Sequence, residues 1–164
     1  MPHDFPIRLR VLKALTAVFE SITPENGYNH DLSSASFRGR LYFGENDPLP
    51  MVSVLEPPLP PDPVYSATKN TAQICQWDLL VQGFVDDDIA NPTDPAHMLL
   101  TDVRRALVIA KNLDQYNLLG VGPALSKMDL GNPVVRPSDD ISAKAYFYLP
   151  IFFTIAEELA DPFK

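Results

Sequence analysis

The run Asp86-Asp87-Asp88, followed by Asp94 and His97, is the densest group of metal-ligating side-chain types in the sequence. Hard cations take several carboxylate oxygens from one loop, so this is the best place to look for a metal. The tract lacks the glycine and the closing glutamate of a helix-flanked calcium loop, and an acidic turn leading into a helix explains it more simply. His3, His30 and His97 fall in a tail, a loop and the start of a helix, so nothing local makes a two-histidine metal site. Cys75 is the only cysteine. It allows no disulfide within the chain, suits a reducing compartment, and shares the apolar side of a strand with Trp77, which makes it a buried, inert thiol. Gly120-Val121-Gly122-Pro123 is too short and misplaced to cradle a phosphate. Walker A, G-x-S-x-G, H-E-x-x-H and post-strand G-x-G-x-x-G patterns are all missing from the sequence. The expectation is a protein with no catalytic residues, no cofactor and no metal.

The elements around these residues read as one α+β domain over 1–164. Asp4 as N-cap, Pro6, and apolar positions Ile7, Val11, Leu15, Val18, Phe19 and Ile22 predict a helix over 5–23. Arg8 alone interrupts its apolar stripe, and Arg8, Arg10 and Lys13 sit in the half where the helix dipole disfavours cations, so something beyond helix stability should hold them. Phe37, Leu41 and Phe43 alternate with Arg38, Arg40 and Tyr42, and after the turn formers at 44–48 an apolar run resumes at Met51, predicting a hairpin over 37–56. A proline-rich loop spans 57–71 and should project as polyproline II. Cys75, Trp77, Leu79 and Val81 alternate with polar residues in a strand over 72–86. Asp94 as cap and Pro95 open a helix over 94–111. The segment 112–142 reads mostly as loop, with Val134-Val135 a short edge strand. A strand over 143–156 places Ala145, Phe147, Leu149, Ile151, Phe153 and Ile155 on one face, with Pro150 expected to bend it or put it at an edge, and 157–164 is a tail. The architecture expected is a mainly antiparallel sheet with two helices packed on one face.

Composition narrows the function. Thirteen Lys plus Arg against 21 Asp plus Glu give a net charge of -8, which argues against general nucleic-acid binding by phosphate neutralisation. No apolar stretch reaches the ~18 residues of a membrane span, and no signal-peptide pattern opens the chain. Prolines number 17, seven of them between Pro48 and Pro63. This local excess, the aromatic C-terminal strand and a second apolar strip of Met98, Arg105 and Ile109 on the later helix are interaction features. The loop from Pro57 to Thr71, with Pro58, Pro60, Pro61 and Tyr65, is the expected docking arm.

The helical tract Arg8-Leu9-Arg10-Val11-Leu12-Lys13-Ala14-Leu15, then Phe37-Arg38-Gly39-Arg40 leading to Phe43-Gly44-Glu45-Asn46-Asp47-Pro48-Leu49-Pro50-Met51-Val52-Ser53, and Trp77-Asp78-Leu79-Leu80-Val81-Gln82-Gly83 together resemble the tail terminator (tail completion) proteins of long-tailed bacteriophages. Asn91-Pro92-Thr93-Asp94-Pro95-Ala96 to Arg105 fits the same pattern, so the resemblance covers 6–112. It implies a non-enzymatic α+β virion subunit, assembled in the host cytoplasm into a hexameric ring at the neck end of the tail. Such a ring caps the tail tube, ends its polymerisation and joins it to the head connector or head-closure protein, with DNA only as passing cargo and no membrane partner. The interface residues expected are Arg8, Arg10, Arg38, Arg40, Asp47, Pro58, Pro60, Pro61, Tyr65, Met98, Arg105 and Ile109, the arginines pairing with acids across subunits. Alternatives are another neck protein, a small metal-dependent hydrolase built on Asp86, Asp87, Asp88 and Asp94 beside His97, and a monomeric peptide-binding module.

Overall fold

A computed structural model describes residues 4–42, 44–57 and 71–163. Two helices, α1 (Ile7–Glu20) and α2 (Asp94–Leu113), lie on one face of a six-stranded sheet made of β1 (Ser36–Arg38), β2 (Met51–Leu55), β3 (Ala72–Val85), β4 (Leu125–Leu130), β5 (Val134–Arg136) and β6 (Ala145–Glu158). The strand order is β1-β2-β3-β6-β4, with β5 also on β6, and all pairings but one are antiparallel. The fold is therefore α+β, a two-layer sandwich.

Period-two alternation builds the interlayer core. Trp77, Leu79 and Val81 of β3 pair with Phe153, Ile151 and Leu149 of β6, and all six are buried beneath the helices. From α1 come Val11, Leu15 and Phe19, and from α2 Leu99, Val103 and Leu107, each fully buried and spaced at the helical period. Gly83 lies under the ring of Phe147 opposite it, and a Cβ there would stand 2.2 Å from a ring carbon, so only glycine allows the two strands to pair at that point.

Several expectations change. The segment 37–56 is not a hairpin: β1 and β2 run parallel, Phe37 facing Ser53. Turn formers at 44–48 signal a reversal but not how many reversals occur, and the twelve positions 39–50 are enough for a parallel crossover. Leu41 is consequently exposed instead of core-facing, and Phe43 lies outside the described residues. Within 112–142, β4 is a true strand. A bulge between Leu125 and Lys127 shifts its register, so Leu125 and Met128 both face the core and the alternation that would reveal the strand is broken. Pro150 is neither at an edge nor at a bend but mid-way along β6, the strand with partners on both sides. Its carbonyl accepts from Gly131 N (2.8 Å), so its missing N–H faces the gap where β4 has ended and β5 has not begun. Helix α1 begins after Pro6 with Asp4 exposed and no side-chain cap, and Thr93, not Asp94, holds the cap position of α2.

Candidate functional site

The even-numbered residues of β3 and β6 face away from the helices, and among the described residues this second face is covered at one end only. There Met51, Phe84 and Tyr146 are buried, with Asp139 on one wall and Asp47 on the other. The Tyr146 hydroxyl donates to Asp139 Oδ2 (2.8 Å), while Asp139 Oδ1 accepts from the amides of Ile141 and Ser142. The hydroxyl bond leads in holding the Asp139 carboxyl below its usual range, and burial leads in pushing the Tyr146 phenol up. On the other wall Asp47 accepts from Gly44 N (2.7 Å) and pairs with Arg40, both lowering its pKa, the amide first. Arg40 also stacks on Phe37, 3.8 Å from the ring centroid, and its own amide donates to Ser53 Oγ.

Where these walls stop, the face opens into a groove of about 930 Å³. Its floor is Leu55, Leu80, Tyr148, Pro150 and Phe152, and Leu41, Tyr42 and Ile141 stand at its sides. Glu45, Glu56 and Asp78 are its charged residues, and no lysine, arginine or histidine lines it among the described residues. Sequence reasoning missed this groove, although the apolar character of Leu80, Tyr148 and Phe152 on the supposed outer side of two strands was its signal.

The opposite side of the molecule presents the outward face of α2. Met98 and Ile109 are about half exposed (48 % and 51 %), with Val108 beside them. Arg105, expected to complete their strip, is occupied within the chain: it donates to the Gly27 carbonyl (2.6 Å) and lies 4.7 Å from the centroid of the Tyr28 ring. One turn away, buried Asp102 accepts from the amides of Asn29 and His30, from the Asn29 side chain and, at 2.8 Å, from the His30 ring. His30 is thus a structural latch between the loop after α1 and helix α2.

Two of the arginines expected to pair across subunits have acidic partners within the chain. Arg8 makes a two-pronged ion pair with Glu157 (2.9 and 2.7 Å) and lies 5.1 Å from the centroid of Trp77, which explains a cation in the first turn of α1. That hydrogen bond leads in raising the Arg8 pKa, and burial pushes the adjacent Cys75 thiol up, so it stays protonated. Arg40 is taken by Asp47. Arg38 donates to the Thr16 hydroxyl (2.8 Å), and burial pulls the Arg10 guanidinium below its usual pKa. Pro58, Pro60, Pro61 and Tyr65 lie outside the described residues, as does His3.

The acidic run is committed to loop geometry. Asp86 pairs with Lys144, which raises the lysine pKa, Asp87 accepts from Ser138 Oγ (2.9 Å), and Asp88 accepts from the amides of Ala90 and Asn91. Among the described residues no three His, Cys, Asp or Glu side chains are grouped to hold a metal ion, and no helix is long and apolar enough to cross a membrane. No protein-family model matches the chain, and no curated protein matches it in sequence.

Proposed function

We propose that the chain is a structural virion subunit, a tail terminator that closes into a ring on the end of a bacteriophage tail tube, stops its growth and joins it to the head connector. The observation that carries the reading is the pair of apolar surfaces that the described residues leave uncovered on opposite sides of one two-layer subunit, the groove on the outer sheet face and the exposed Met98, Val108 and Ile109 of α2. A subunit held on both sides by neighbours needs such a pair, whereas an isolated monomer gains nothing from exposing it. Capping is a matter of shape and contact, so the function asks for no reacting group. The long-tailed phage texture of the α1 tract, the 37–53 tract and the start of β3 adds the identity of the assembly. DNA would pass through as cargo, and the acidic balance of the chain keeps such a passage from gripping it.

The test is to add the purified protein to polymerising tail-tube protein and to image the products by negative stain with the chain labelled. Shortened tubes, each ending in a labelled ring, are expected. Tubes of unchanged length and unlabelled ends would overturn the proposal, and label found only on the head side of the joint would assign the chain to a different neck position.

A further inference from the structure

Gln82 of β3 and Tyr148 of β6 are cross-strand neighbours, and both line the groove on the outer sheet face. Gln82 is only 4 % exposed, and its Nε2 donates to the Tyr148 hydroxyl oxygen (3.3 Å). Neither side chain makes another hydrogen bond among the described residues. The Gln82 carbonyl oxygen is therefore left without a donor and the Tyr148 O–H without an acceptor. Buried carboxamides are satisfied as a rule, so an unfinished one marks a place where something else completes the bonding. Neither free atom is sealed inside the protein, and the open volume beside both is the groove.

We propose that the groove binds an extended segment of a partner polypeptide, one that carries a lysine or arginine beside apolar side chains. A peptide unit offers an N–H for the Gln82 oxygen and a C=O for the Tyr148 hydroxyl, one donor and one acceptor from a single group. Leu80, Pro150 and Phe152 form the apolar floor on which alternate side chains rest. The basic residue follows from charge. Glu45, Glu56 and Asp78 are the charged residues of the groove, and none of them is in an ion pair among the described residues. A cationic segment is attracted by all three, and an anionic one is repelled by all three. Size fits the same occupant. The groove volume of about 930 Å³ lies at the upper end of ordinary ligand sites, about 300–1,000 Å³. From Gln82 to Asp78 the β3 floor runs about 13 Å at about 3.3 Å per residue, so the basic residue stands about four residues from the peptide unit held by Gln82 and Tyr148. A small apolar molecule would leave the polar pair and the carboxylates unmatched. The proposal goes beyond the capping role above and does not depend on ring formation.

The test uses acetylated and amidated hexapeptides, Lys-Leu-Ala-Leu-Ala-Leu and Leu-Ala-Leu-Ala-Leu-Lys, against the same two with glutamate in place of lysine. Each is titrated into the isotope-labelled chain and followed by NMR at the amides of Leu80 and Phe152 and, in the wild type, at the Gln82 side-chain amide. At least one lysine peptide should shift these signals and bind at least tenfold more tightly than its glutamate counterpart. Asp78→Asn with Glu56→Gln should remove that preference. Gln82→Met keeps the shape of the side chain and removes its polar atoms, so it should leave the urea midpoint unchanged or raise it while weakening the lysine peptide at least fivefold. A purely structural amide would do the reverse, and a lowered urea midpoint with unchanged peptide affinity would overturn the proposal. Equal binding of lysine and glutamate peptides would also overturn it. So would phenethylamine shifting the same signals as tightly as the peptide, which would assign the groove to a small amine. Absence of any shift at millimolar peptide would overturn it too, and leave a second copy or the chain itself as the occupant. The tube-capping assay is read independently of all these outcomes.

Discussion

Phe152 and Phe153 are neighbours in β6, yet they live in different environments: Phe153 is buried beneath the helices against Trp77, at 6.1 Å between ring centroids, while Phe152 lies in the open groove. The backbone treats them alike. What separates them is the layer above each face, two helices on one side and, among the described residues, two short loop walls on the other. A strand of aromatic residues on both faces is thus a core on one face and an available surface on the other, and the difference is made by elements distant in sequence.

The comparison breaks if the two faces carry similar stability. Phe153→Ala should cost about 3–5 kcal/mol in urea unfolding, as large-to-small changes of a buried aromatic do. Phe152→Ala should cost clearly less, since its side chain already meets solvent, and an equal loss at both positions would mean that the groove is filled within the monomer. Gly83→Ala sharpens the same point from the packing side. The new methyl has nowhere to go but into the Phe147 ring, so a loss of about 1–3 kcal/mol is expected, and a neutral result would show that β3 and β6 can separate there.

The smallest effect concerns the loop walls of the outer face. Asp47 and Asp139 both have carboxyl pKa values depressed in the folded chain, the first chiefly by the Gly44 amide and the second chiefly by the Tyr146 hydroxyl. For a depressed carboxylate, the stabilisation is present above its unfolded value, near pH 4, and is lost as the pH falls through the folded value. Both walls should therefore loosen below about pH 4 before the helix-covered core does. Hydrogen-exchange protection factors, corrected for the intrinsic pH dependence, at the amides of Gly44, Ile141 and Ser142 should fall from neutral to acid pH ahead of those in the centre of β6. A simultaneous fall in all of them would mean that the walls and the core open as one unit.

Much of this was legible in the residues themselves. The stripe of Val11, Leu15 and Phe19, the alternation of Trp77, Leu79 and Val81, and the long alternation of β6 each follow from one local period, so both helices and the two longest strands could be placed from spacing alone. The same is true of the acidic run as a turn and of the apolar excess on α2 and β6. The direction of β1 against β2 was not legible, because turn residues mark where a chain bends and not where it returns. Nor was β4, whose bulge hides the period, nor the tolerance of Pro150 in a central strand, which depends on a gap between two partners contributed by a later segment. The arginines show the same division. Sequence marked Arg8 as a cation out of place in its helix, a local fact of charge and helix position, and Arg40 and Arg105 as interface residues. That each is answered within the chain, by Glu157, Asp47 and the Gly27 carbonyl, was decided only when folding brought together groups from 7 to 149 positions apart.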